Sequence, residues 1–168
     1  MSNQEYSAQQ PESSKIEQAL DFLSLGFPTI PAGANKSPAT KWKEYQIKLP
    51  SQAEVRRWFR PNPNILLVTG LISGVVVVDI DEHKEPGTIE KLSHLTPSPL
   101  VVRTGGGGLH WYYKRPSVER VSNRIRVNKL PVDVKADGGY VVAPGSRHSS
   151  GRLYEIVQGR FDRETLDS

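Results

Sequence analysis

The apolar positions of the chain first follow a helical period and later form short β-branched runs. Residues 13–26 carry apolar side chains at helical spacing, which predicts a helix that begins at a serine N-cap and stops at Gly26. A second helix is predicted from the cap Ser51 to Pro61. Residues 1–13 are polar and aperiodic, so we predict a disordered tail there.

Strands dominate the rest of the chain. Residues 65–69 and 75–81 are β-branched runs, and a tight turn joins them. The other predicted elements are strands at 100–104, 109–114, 132–134, 140–143 and 154–157 and a short helix at 88–95. The hairpin spacings predict a mixed, mainly antiparallel sheet with helices on one face. The expected fold class is therefore α+β.

The length of 168 residues suits one compact domain. We place this domain at residues 14–160 and interpret residues 161–168 as a C-terminal tail, the start of a linker to a further domain. The chain has no cysteine, which excludes a disulfide framework and a thiolate zinc site. No apolar run reaches the roughly 20 residues of a membrane-spanning helix. A soluble cytoplasmic protein without a membrane partner is expected.

The net charge of +4 is distributed unevenly along the chain. Residues 1–102 carry 10 Lys and Arg against 11 Asp and Glu, whereas residues 103–160 carry 11 against 4. A basic half indicates a polyanionic partner, because clustered Lys and Arg most often bind phosphates. The alternative is a solvated surface with a skewed charge count.

The first chemical motif is the sequence VVVVDID at residues 75–81. Side chains two residues apart on a strand share a face and lie about 6.5–7 Å apart, so Asp79 and Asp81 project together while Ile80 stays in the core. Two neighbouring carboxylates repel each other unless a cation lies between them, and a hard divalent ion is a natural partner. Alternatively, the two aspartates cap the turn into residues 82–85.

The second motif is the run of four glycines at residues 105–108, between two apolar strands. Glycines such as Gly107 and Gly108 let the backbone approach a ligand and turn its N–H groups toward an anion. No Walker-type ending follows the run. His110 stands on the next strand, where it is either a phosphate donor or an ordinary strand histidine.

The third motif covers residues 130–151. Asp133 sits between two valines, where an unpaired carboxylate would cost several kcal/mol. Lys135 shares its face, so that neutralisation by this lysine is an alternative to metal binding. Asp137 precedes two glycines and is interpreted as a turn residue. Arg147 and His148 follow in a loop, either as phosphate contacts or as exposed loop residues.

The order of these motifs resembles the N-terminal primase-polymerase domain of the archaeo-eukaryotic primase superfamily. A strand ending in DID precedes Gly-Gly-x-His, and both precede VDVK-x-DGGYVVAP-x-S. The resemblance extends over residues 15–157. It implies an RRM-like primase-polymerase catalytic core, as in plasmid, phage and CRISPR-associated replication proteins.

The resemblance also implies roles for individual residues. Asp79, Asp81 and Asp133 would hold two divalent metal ions, Mg²⁺ or Mn²⁺. His110 would contact the phosphates of the incoming nucleoside triphosphate. The other residues expected to bind the nucleotide are Gly107, Gly108, Lys135, Ser146, Arg147 and His148. The expected partners are a single-stranded DNA template or primer–template and a helicase or another replication domain.

The expected function is DNA replication by a DNA primase or DNA polymerase, a nucleotidyltransferase that adds nucleotides to a 3′-hydroxyl on a single-stranded template. Two alternatives stay open. The same carboxylates could activate water in a metal-dependent nuclease. A catalytically inactive nucleic-acid-binding replication module is the other alternative, which the aromatic residues Trp111, Tyr112 and Tyr113 would suit.

Overall fold

Both helices predicted in the first third of the chain form, and each begins with a capping box. The computed structural model describes residues 13–168, so the tail expected at residues 1–13 lies outside the described residues except for Ser13. Helix α1 spans Lys15–Ser24 and helix α2 spans Gln52–Trp58. In each, the side chain of the N-cap serine accepts a hydrogen bond from the backbone amide of a glutamate three residues later. The carboxylate of that glutamate accepts a hydrogen bond from the backbone amide of the serine.

The described residues contain eight strands in two antiparallel sheets. The first sheet has the order β1-β2-β7, with strands Thr29–Pro31, Ile65–Val68 and Tyr140–Val142. The second has the order β6-β3-β5-β4-β8, with strands Val132–Lys135, Val75–Ile80, Leu109–Lys114, Leu100–Arg103 and Glu155–Gln158. Two short helices follow β3 and β8, namely α3 at Thr88–Lys91 and α4 at Arg163–Leu166. The α+β class is confirmed.

The strands on either side of the turn at residues 69–74 belong to different sheets, although the sequence favoured one sheet. Strand β2 pairs with β1 on one edge and with β7 on the other, so neither edge is left for β3. A single bridge between Gly70 and Val75 is all that joins the two strands. All four residues of β2 are fully buried, as expected for a strand in the middle of the core.

The main core lies between the two sheets and under the helices. In β3, Val75 and Val77 point into this core, and Asp79 follows them on the same face where the core ends. The opposite face of the strand carries Ile80, which packs with Leu92 in a smaller apolar cluster. The alternation of β3 therefore fixes which side chain emerges at the end of the core.

Residues 161–168, interpreted from the sequence as a C-terminal tail, pack against the rest of the described chain. The Phe161 ring packs 5.4 Å from the ring of Tyr112 on β5. Leu166 on α4 is fully buried in the main core. Two apolar side chains spaced five residues apart gave too weak a pattern to predict this helix. None of the helices within residues 13–168 is both long and apolar enough to cross a membrane.

An ion pair fixes the long connector, residues 116–131, to the turn between β6 and β7. The guanidinium of Arg115 binds both carboxylate oxygens of Asp137 at 2.8 Å. The carboxylate also accepts the amide of Val121 in the connector. These hydrogen bonds, above all those from Arg115, outweigh burial and hold the pKa of Asp137 at about 2. Asp137 lies in a turn, as predicted, and has this structural role in addition.

We expect Asp137→Asn to destabilise the fold by about 1–2 kcal/mol at neutral pH. The variant loses the stabilisation that corresponds to the lowered pKa of Asp137, and solvent screening makes this stabilisation smaller than the pKa shift alone would give. A depressed carboxylate pKa stabilises the folded state above the ordinary value of 3.8, and the contribution disappears as the pH falls toward 2. Urea unfolding of both proteins between pH 7 and pH 3 measures this. A stability difference that stays constant over the range would contradict the assignment.

Candidate active site

Three charged side chains form a row across neighbouring strands of the five-stranded sheet. In the antiparallel register, Asp79 of β3 lies opposite His110 of β5 and opposite Asp133 of β6. Directly opposed residues share a face and have Cβ atoms about 5 Å apart. Backbone pairing therefore places Asp79 between Asp133, a second predicted metal ligand, and the predicted phosphate-binding histidine.

An open cleft of about 530 Å³ adjoins this row, between the five-stranded sheet and β7. Its walls carry acidic groups on one side and mostly cationic or imidazole groups around them. The lining residues are Lys36, Asp79, Asp81, His83, Lys84, Thr104, Gly106, His110, Lys135, Tyr140, Val141, Val142, His148 and Tyr154. Five of the predicted site residues, Asp79, Asp81, His110, Lys135 and His148, are thus brought together.

Asp79 and His110 form a partly buried pair at the inner end of the cleft. His110 Nε2 lies 3.5 Å from Asp79 Oδ1, and the histidine is only 4% exposed. Burial opposes ionisation of Asp79, but the hydrogen bond and charge of His110, with Lys135 and Lys84, hold the pKa of Asp79 below its usual value. The other ring nitrogen, His110 Nδ1, is buried without a hydrogen-bond partner among residues 13–168.

A lysine binds each of the other two predicted carboxylates. Lys135 Nζ lies 3.1 Å from Asp133 Oδ2, and the amide of Arg126 donates to Asp133 Oδ1. Asp81 forms an ion pair with Lys84, one turn further along the chain. Neutralisation of Asp133 by Lys135, one of the two sequence-based alternatives, is therefore present. No three His, Cys, Asp or Glu side chains within residues 13–168 are grouped so as to enclose a metal ion.

In the glycine loop, the backbone amides without a hydrogen-bond partner in the described chain belong to other glycines than the predicted ones. The N–H groups of Gly107 and Gly108 donate to the carbonyl and hydroxyl of Thr104, so they are not available to an anion. Within the described chain, the amides of Gly105 and Gly106 have no such partner, and Gly106 lines the cleft. Among the four glycines, the first pair rather than the second therefore has amides that are available to a ligand.

His148 packs against the same loop and also lines the cleft. Its Nδ1 accepts a hydrogen bond from the amide of Ser150 at 3.0 Å and lies 2.9 Å from the hydroxyl oxygen of the same serine. Burial first, and then the charges of Lys36 and His83, lower the pKa of His148. A methyl group added at Gly106 would lie 3.4 Å from His148 Nε2. The imidazole Nε2 therefore lies near the free amide of Gly106.

Two residues predicted to bind the nucleotide lie elsewhere. Ser146 is fully buried, and its hydroxyl accepts the amide of Ile65 on β2 at 3.0 Å, so it has a structural role. Arg147 lines a separate polar cleft together with Asn64, and its guanidinium donates to the carbonyl of Gly151. Neither side chain reaches the cleft that contains Asp79.

Sequence patterns missed two lysines of the cleft. Lys36 comes from the short turn Ala34–Lys36, which follows β1 in the other sheet, and its composition indicated only a loop. Lys84 follows Asp81 by three residues, and this i,i+3 spacing of opposite charges was the one available local signal. Lys36 reaches the site only through the packing of one sheet against the other.

The fold and the cleft define a class: an α+β domain with a row of carboxylates on an antiparallel sheet and a basic cleft beside it. A family model, described as the N-terminal domain of bifunctional DNA primase/polymerase, matches residues 19–167. The chain therefore belongs to this family, and the resemblance is confirmed. Membership implies DNA primase/polymerase activity at a general level, with DNA and nucleotides as substrates. No curated protein matches the chain.

We expect Gly108→Ala to destabilise the protein by about 1–3 kcal/mol, because the new methyl group would overlap the carbonyl oxygen of Ile80 at the end of β3. Gly106→Ala is the matched control, since its methyl group would meet the His148 ring at an ordinary contact distance. Chemical denaturation of both variants measures the difference. Equal stability of the two variants would contradict the close packing of the loop on β3.

Proposed function

We propose that the protein is a DNA-directed nucleotidyltransferase that adds nucleotides to a 3′-hydroxyl with the help of two divalent metal ions. The observation that carries this proposal is the row in which Asp133, Asp79 and His110 lie side by side across three strands, next to a basic cleft. Family membership supports the same reaction class. The three-aspartate site, the metals and the individual roles are our assignments.

The donor atoms present fit a hard divalent ion. Asp79, Asp81 and Asp133 offer carboxylate oxygens, which Mg²⁺ and Mn²⁺ prefer. Mg²⁺ is usually held by one or two carboxylates, with substrate phosphates and water as its other ligands. A site without three grouped protein ligands in the described chain is therefore compatible with this chemistry. Bound metal ions would supply activation of the 3′-hydroxyl and stabilisation of the pyrophosphate leaving group.

Lysine or imidazole side chains lie against all three carboxylates before the substrates arrive. Lys135 and Lys84 neutralise Asp133 and Asp81, and His110 lies against Asp79. Without these partners, the mutual electrostatic repulsion of the three neighbouring carboxylates would be stronger.

The opposite side of the cleft has the groups that a triphosphate requires. Lys36 supplies a positive charge, the amide of Gly106 supplies a hydrogen-bond donor, and the imidazole of His148 lies beside this amide. Charge-assisted hydrogen bonds to phosphate are among the stronger polar contacts in proteins. We assign this wall to the triphosphate, in the place of Gly107, Gly108, Ser146 and Arg147.

We expect Asp79→Asn and Asp133→Asn each to lower Mn²⁺-dependent primer extension at least about 100-fold, because each removes a charge that the reaction requires. Extension of a labelled primer on a DNA template, with dNTPs and either Mg²⁺ or Mn²⁺, measures this. Asp21→Asn is the matched control, since Asp21 is exposed on α1.

Retention of wild-type activity by either site variant, with an unchanged melting temperature, would contradict the assignment. The same gels separate the alternatives. Cleavage of the labelled strand without added nucleotide would indicate a nuclease, and binding without any product would indicate an inactive replication module.

We expect Lys36→Met to raise the KM for the incoming nucleotide about 10-fold with a smaller effect on kcat, because a phosphate contact made before the reaction is lost. Lys43→Met is the control, since Lys43 is exposed and does not line the cleft. Steady-state kinetics of primer extension at saturating DNA give the KM for the nucleotide and the kcat of both variants. An unchanged KM in Lys36→Met would exclude this lysine from the triphosphate site.

A further inference from the structure

The connector between β5 and β6 has a concentrated positive charge. Within residues 116–131, Glu119 is the single acidic residue, whereas four residues are basic. These are Arg120, Arg124, Arg126 and Lys129, and all four are exposed. The connector runs to β6, the strand of Asp133, and the amide of Arg126 near its end contacts this aspartate.

The backbone of the connector is held in place although it contains little regular structure. Arg124 exchanges two backbone hydrogen bonds with Val134 of β6, at 3.0 and 2.8 Å. Asn123 accepts the amide of Ala136 and donates to the carbonyl of Asp137. The basic side chains therefore start from a fixed backbone, which lowers the entropy that binding would cost.

The connector ends in a strained turn beside Asp133. Arg126 and Lys129 have φ values of 47° and 65°, a region that side chains other than glycine and asparagine rarely adopt. The amide of Arg126 donates to Asp133 Oδ1 at 3.0 Å. Backbone strain of this kind persists only where the surrounding structure enforces it, and it is concentrated at functional sites.

The charges of the connector are not neutralised within the protein. Some exposed basic side chains elsewhere in the described chain form ion pairs, such as Lys91 with Glu85 and Arg103 with Glu155. Among residues 13–168, Arg120, Arg124 and Lys129 have no ion pair, and the guanidinium of Arg126 donates only to the carbonyl of Lys129. Fixed and unpaired cations favour a polyanionic ligand.

We propose that the connector binds the phosphates of the single-stranded DNA that enters the active site. The choice of DNA rests on the proposed function. From Arg120 to Arg126 an extended chain covers at most about 20 Å, enough to follow several phosphates of one strand. Ile125 is 77% exposed between two arginines. An apolar side chain at this place suits contact with an unstacked base, which a single strand offers and a duplex does not.

The test is the affinity of the full chain for a labelled 20-nucleotide single strand, measured by fluorescence anisotropy without metal or nucleotide at several salt concentrations. We expect the double variant Arg120→Ala, Arg124→Ala to weaken binding about 10-fold in low salt. The slope of log K against log salt should become shallower by about 1.4, since each phosphate contact to a single strand contributes about 0.7. The matched control is Arg56→Ala, Arg60→Ala, which removes two exposed arginines from and just after α2.

Selective weakening by the connector variant, with an unchanged melting temperature, supports the proposal. Unchanged affinity, or equal weakening by the control, overturns it. Tighter binding of the wild type to a hairpin duplex than to the single strand overturns the choice of a single strand. Because the assay contains no nucleotide, a wild-type protein that binds DNA but fails to extend a primer would contradict the proposed function and leave this inference standing.

Discussion

The antiparallel register of β3 between β5 and β6 is the constraint on which the candidate site depends. A slip by one residue would turn every side chain of β3 to the other face of the sheet. Val75 and Val77 prevent such a slip because they are fully buried in the main core. Asp79 lies two residues further on the same face, so apolar packing fixes where this carboxylate emerges and makes it the neighbour of His110 and Asp133. The precision of a polar site is thus a consequence of hydrophobic burial.

The carboxylates at this site also need positively charged or imidazole partners that balance their negative charge. Asp79, Asp81 and Asp133 lie close together, and each has a cationic or imidazole partner. Two of these partners are lysines on flexible stems, which can move away when another cation competes for the carboxylate. His110, in contrast, is buried and packs 5.9 Å from the ring of Tyr154, which restricts its movement. The arrangement combines a fixed partner at the inner carboxylate with exchangeable partners at the other two.

Local features of the fold were predictable from the sequence, and features that depend on distant segments were not. The serine caps, the β-branched strands and the DID motif could be predicted because each depends on neighbours in the chain. The division into two sheets and the burial of Leu166 depend on packing between segments far apart in sequence. Ser146, Arg147 and His148 show the same limit on a smaller scale. Successive side chains of an extended segment alternate in direction, so adjacent residues enter different environments: a β2 contact, a separate cleft and the candidate site.

The connector has two features: its backbone covers the edge of the five-stranded sheet, and its side chains carry positive charge. Strand β6 lies at the edge of the five-stranded sheet, and an open edge can pair with another chain. The backbone of Arg124 covers part of this edge through its two hydrogen bonds with Val134. Because main-chain atoms make these bonds, the arginine side chain is left to the solvent. The side chains of the connector can therefore differ without loss of this backbone pairing, and four of them are basic. Protection of the edge and attraction of a polyanion can coexist in one segment because they use different atoms of the same residues.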